Sequence, residues 1–111
     1  MSVDRERVLH DVGKYVARTA MNLPEGALVA PALAELMLRD VYGRGDEPRM
    51  SETFDALVGE TDDPVLGECR DCLQEIDALE GDARAGDVDA LTRIATLARS
   101  ISERLKAWAR A

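Results

Sequence analysis

A chain of 111 residues that is 46% apolar, with only four aromatic side chains, can bury one aliphatic core and is too short for two. Its formal net charge of −8 and pI near 4.6 argue against nucleic acid as a partner, because phosphate binding needs clustered Lys and Arg. No apolar run nears the ~20 residues of a membrane span. The start Met1-Ser2-Val3-Asp4-Arg5-Glu6-Arg7 is charged where a signal peptide would be apolar, so a cytoplasmic protein with no membrane partner is expected.

Abundant Ala and Leu with few β-branched runs favour helix throughout. Ser2 is the expected N-cap of a first helix, with Asp4 in its first turn and an apolar stripe of Leu9, Val12, Val16, Ala20 and Leu23, widened by Val8 and Tyr15. Pro24 and Gly26 stop it near Asn22. Residues 27–31 read as an apolar connector, and Pro31 opens a second helix through Tyr42 with Leu33, Leu36, Met37 and Val41 inward. Gly43 ends that helix, and the Arg44-Gly45-Asp46-Glu47-Pro48 run is turn chemistry.

Ser51 is the expected cap of a short third helix that turns Phe54, Leu57 and Val58 inward. Asp62 or Asp63 caps a fourth, with Pro64 in its first turn and a stripe of Val65, Leu66, Cys69, Cys72, Leu73, Ile76 and Leu79 running to about Arg84. Gly86 ends it and Asp87 caps a fifth, whose inward stripe is Leu91, Ile94, Ala98, Ile101, Leu105 and Trp108. The expected fold is therefore a single all-α domain over residues 1–111, a four-helix bundle with one additional short helix. Charge is uneven along it: residues 46–89 hold fifteen acids against three bases, and residues 90–111 hold five bases against one acid. That asymmetry reads as solvated helix faces that also attract the basic last helix, or as an acidic docking face.

Three strings carry candidate chemistry. Cys69-Arg70-Asp71-Cys72 is a Cys-x-x-Cys, but it lies inside a helix with no strand before it, and both cysteines fall on the apolar stripe. Core packing is the reading taken. His10, the only histidine, opens His10-Asp11-Val12-Gly13-Lys14, which resembles the His-Asp-x-Gly-Lys signature of HD-domain metal-dependent phosphohydrolases. That family's metal site needs a further histidine upstream, and this chain has none, so neither a metal nor any other cofactor is expected.

The same string also resembles the His-x-x-Lys-Gly motif of histidine phosphotransfer (HPt) domains. It is similar as well to the dimerising helical domain of histidine kinases, where an acid directly follows the phosphorylated histidine. Here glycine and lysine are in the opposite order from the HPt motif, and the proline of the kinase motif is absent. On helical spacing, Gly13 and Lys14 share the face of His10, so glycine would clear room for a partner loop and Lys14 would hold phosphoryl oxygens. Arg7, at i−3, is a second cation, and Asp11 would orient or deprotonate the ring.

The resemblance implies a phosphorelay module whose partner is a receiver-like domain or another signalling protein, with a homodimer possible. With no nucleotide-binding glycine box, it would carry a phosphoryl group rather than make one from ATP. The competing reading is a non-catalytic adaptor or dimerisation bundle, in which Gly13 serves only close helix contact. Its binding face would be the connector at Ala27 to Val29 or the end of the last helix at Trp108.

Overall fold

In a computed structural model that describes residues 3–23, 26 and 28–111, the protein is all-α, with six helices and no strand among those residues. Helix α1 is composite: an α-turn at Arg5–Val8, a π-helical segment at Leu9–Gly13 and an α-helix at Lys14–Asn22. The others are α2 (Pro31–Tyr42), α3 (Met50–Val58), α4 (Pro64–Ala78), α5 (Glu80–Arg84) and α6 (Val88–Arg110).

Helix α6 is the centre of the packing. It lies against α1 on one side and α4 on the other, while α2 joins α1 and α3 joins α4. The stripe read for it is buried throughout, from Leu91 and Ile94 through Ala98 and Ile101 to Leu105 and Trp108. Val8, Val12 and Val16 supply the facing surface of α1, and Phe54, Leu66, Leu73 and Ile76 supply that of α3 and α4. Trp108 is therefore a core plug, not an exposed anchor. The Arg5 guanidinium lies 5.2 Å from its ring centroid and donates to the backbone oxygens of Trp108 (3.1 Å), Ala109 (3.4 Å) and Ala111 (2.5 Å). A cation from the first turn of α1 thus caps the negative end of α6.

Most helix ends fall where the sequence places them. Asp63 accepts from the Val65 N–H at 2.9 Å and Asp87 from the Ala90 N–H at 2.9 Å, and Pro31 and Pro64 occupy first turns. Two glycines are dictated by backbone geometry. Gly43 (φ +77°) closes α2 where a Cβ would sit 2.5 Å from the Glu47 carbonyl oxygen. Gly86 (φ +85°) approaches the connector so closely that a Cβ would run into the Val29 carbonyl.

Four expectations need correction. Asp4 caps α1, its carboxylate accepting from the Arg7 N–H at 3.1 Å; Ser2 lies outside the described residues, as do Pro24, Glu25 and Ala27 of the connector region. Helix α3 starts at Met50, and Ser51 donates to the Asp77 carboxylate at 2.5 Å instead of capping. In α2 the inward residues are Ala34, Leu38, Val41 and Tyr42, while Leu33 and Leu36 are exposed. The run Leu36-Met37-Leu38 offers two apolar faces, so spacing alone does not fix which one turns inward.

The long fourth helix is broken at Leu79 into α4 and α5. The buried Tyr42 hydroxyl donates to the Ile76 carbonyl at 2.6 Å, taking an acceptor that a continuous helix would offer to the Glu80 N–H. The Leu79 N–H tightens onto the same oxygen at 3.1 Å, and the chain turns.

Candidate functional site

The π-helical segment covers Leu9, His10, Asp11, Val12 and Gly13, which is the string singled out from sequence but for its lysine. It is defined by a backbone bond one residue longer than an α-turn, from the Lys14 N–H to the Leu9 carbonyl. Such single wide turns inside α-helices recur at functional sites, because they re-aim side chains that a continuous helix would hold in register.

His10 stands on the outer crest of this turn, with 70% of its side chain exposed. Its Nδ1 lies 2.7 Å from Asp11 Oδ1. An ionised carboxylate only accepts, so the shared hydrogen lies on Nδ1, and in the neutral ring Nε2 is the nitrogen that bears the lone pair. Asp11 is held in that state. The hydrogen bond from His10 sets its carboxyl below the usual carboxylate range; burial opposes this, and the Arg7 guanidinium adds to the lowering. Arg7 Nε reaches Asp11 Oδ2 at 3.4 Å. Arg7, Asp11 and His10 are thereby linked in one surface chain, with the guanidinium on the acid and not on the ring.

Gly13 and Lys14 point elsewhere. Gly13 is buried and, with Leu9 and Ala17, forms the α1 wall of a slot of about 290 Å³ whose other wall is Ser102 and Lys106 of α6. An ideal Cβ on Gly13 would meet only Leu9 side-chain carbons, at 3.5 and 3.9 Å, and the Val8 carbonyl at 3.9 Å. The three nearest atoms all belong to α1 itself, so no α6 atom approaches closer than these. A methyl would fit there at ordinary contact distances. Lys14 is exposed, and its ammonium lies 5.9 Å from the Tyr15 ring centroid. The sequence string thus divides into a His10–Asp11–Arg7 crest and a Gly13–Lys14 flank on the α6 side.

The remaining candidates are structural. Cys69 is buried, and that burial pushes its thiol up to about 12, while Cys72 is half-buried and also raised, first by burial and then by Glu75. Neither is a thiolate near neutral pH, in keeping with core packing. Among the described residues no three His, Cys, Asp or Glu side chains converge as a metal-binding group, and no helix is long and apolar enough to cross a membrane.

Part of the acidic stretch is tied down by arginines. Arg93 of α6 pairs with Glu75 at 2.5 Å and Arg104 of α6 with Glu68, so the basic last helix does meet the acidic one. Within the stretch, Arg49 reaches Glu80 at 2.5 Å and Arg70 reaches Asp55 at 2.8 Å. In the connector Leu28 is 90% exposed, an apolar residue with no cover.

Sequence reasoning missed two features of this region: the wide turn, which leaves no mark in composition, and Lys106. Its signal was present, since Lys14 and Lys106 are the only lysines among fourteen basic residues. Set beside protein-family models, curated proteins and solved structures, the chain matches none of them.

Proposed function

We propose that the protein is a phosphoryl carrier in a signalling relay, with His10 as the group that accepts and passes on the phosphoryl group. The observation that carries this reading is the 2.7 Å Nδ1 contact to Asp11, which leaves Nε2 as the free nucleophilic nitrogen of an exposed ring on a π-helical turn. In the reaction, the Nε2 lone pair forms an N–P bond while the bond from phosphorus to its leaving group breaks. The ring gains positive charge, Asp11 balances it, and the Nδ1 hydrogen stays shared with that carboxylate or leaves to solvent. Lys14, one turn on, holds phosphoryl oxygens once its ammonium leaves the Tyr15 ring, and Arg7 keeps Asp11 ionised. The phosphoryl donor or acceptor is a receiver-like domain presenting an aspartate.

The test is phosphoramidate, a small donor that needs no partner: ammonia leaves as the N–P bond forms. Intact-mass and peptide analysis of the treated protein is expected to show one acid-labile phosphate on His10, absent in His10→Gln and slowed in Asp11→Asn. A folded protein that stays unmodified overturns the proposal. An adaptor role is the second reading, favoured by the exposure of Leu28, Leu33 and Leu36. It predicts that His10→Gln leaves signalling intact.

A further inference from the structure

The slot beside Gly13 has three properties that together describe a ligand. Its floor and α1 wall are apolar and small, formed by Leu9, Gly13 and Ala17, and a methyl on Gly13 would make ordinary van der Waals contacts there, the nearest at 3.5 Å. Its two rims are Lys14 and Lys106, separated by 92 positions in sequence, which bring together every lysine the chain possesses. Among the described residues neither lysine forms a salt bridge, while seven arginines, from Arg7 to Arg104, do.

In a protein of net charge −8, two lysines without a salt bridge among the described residues flank one apolar opening, where they can meet an acidic group. The slot also continues toward the C-terminal end of α1. Ala17, Ser102 and Lys106 are shared with a second hollow of about 350 Å³ that reaches Met21 and is also lined by Arg99 and Glu103. From Leu9 to Met21 the α1 side of this groove spans about 18 Å, the length of about five extended residues.

We infer that this groove is a docking site for a short acidic segment of a partner protein, whose apolar side chain enters the slot at Gly13 while flanking carboxylates pair with Lys14 and Lys106. The slot is small and lined almost wholly by apolar surface, which suits one apolar side chain of a larger molecule. Ionic rims around an apolar anchor give orientation and specificity more than raw affinity, so weak, salt-sensitive binding follows. The site goes beyond the phosphoryl-carrier reading; the two share Lys14, while the apolar slot and Lys106 belong to the groove alone.

The probe is the acetylated peptide amide Glu-Asp-Leu-Asp-Glu, titrated into the isotope-labelled full chain while amide chemical shifts are followed. Saturable shifts at Gly13, Ala17 and Lys106 are expected. Kd should weaken by about tenfold in Lys106→Glu, as loss and reversal of one exposed ion pair implies, and further at high salt. Replacing the peptide's leucine by serine should abolish the shifts at Gly13.

Equal binding by the serine peptide, equal binding by a lysine-flanked leucine peptide, or shifts confined to other surfaces overturns the proposal. So does sedimentation that shows a second copy of the chain filling the groove, with peptide competing only at that interface. The two readings fail separately: His10→Gln is expected to leave peptide binding unchanged, and Lys106→Glu to leave phosphoramidate labelling of His10 unchanged.

Discussion

Replacing Gly13 by alanine should make the protein more stable, which is unusual for a buried glycine in a helix that packs against the central element of the fold. Gly13 has φ −55° and ψ −45°, an ordinary right-handed helical conformation that alanine adopts freely. The new methyl would lie 3.5 Å from a Leu9 methyl and 3.9 Å from two further atoms of α1, all ordinary van der Waals distances, with no atom of α6 nearer than these. Alanine restricts the unfolded chain and suits a helix better than glycine by about 1 kcal/mol.

For 111 residues the unfolding entropy near the midpoint is about 0.23 kcal/mol/K, so Tm should rise by about 4 °C. Differential scanning calorimetry at neutral pH reads this directly. A fall in Tm would refute the reasoning, because it would mean that α1 and α6 close on Gly13 more tightly than the slot geometry allows. Gly13→Leu separates space from propensity: it should fill the slot and block the acidic peptide while the fold persists.

Tyr42→Phe removes the 2.6 Å bond to the Ile76 carbonyl and should cost about 1 kcal/mol in urea unfolding, with faster amide exchange around Glu80 as the α4–α5 turn loosens. Arg5→Ala should fray the last turn of α6, seen as faster exchange at residues 108–111, and lower stability by about 0.5–1 kcal/mol through lost contact with Trp108. Cys69 should resist Ellman's reagent in the native protein at pH 8 and react on unfolding. Because its thiol is raised to about 12 when folded, the unfolded state loses its proton first, so Tm should decline as pH climbs past the ordinary thiol range, about 8.5. At the acid end, Asp11 and Glu75 are depressed by their hydrogen bonds to His10 and Arg93. Their contribution is present above the unfolded carboxylate range and is lost as pH falls through the lower folded values, so Tm should drop below about pH 4, less steeply in Glu75→Gln.

Helix positions were legible where local chemistry is decisive. Asp63, Asp87, Pro31 and Pro64 act within one turn of themselves, and the α6 stripe from Leu91 to Trp108 has apolar residues on one side only. What was illegible depends on partners distant in the chain. The break at Leu79 is made by a hydroxyl 37 positions upstream, and Ser51 was drawn from the capping role to Asp77 by the fold around it. The facing of α2 was ambiguous because apolar residues lie on both sides of its middle.

The candidate site divides the same way. Adjacency in sequence foretold the His10–Asp11 contact, whereas Arg7, expected as a second cation beside the ring, turns to Asp11 instead. Lys14 parted from them because α1 faces α6 on that flank, and the meeting of Lys14 with Lys106 could be found only in three dimensions.

The wide turn at Leu9–Gly13 has a consequence for how the chain tolerates change in length. Removing one residue from a regular α-helix rotates all that follows by about 100° and pulls its buried face out of the core. Here the turn already holds one residue more than an α-turn. Deleting His10, on the exposed crest of this turn, would let the segment relax into regular helix while Val8 and Val16 keep their orientations toward the interior. The lost residue would come from the solvent crest, so length at this point is set by what the exposed surface needs and not by the packing beneath it.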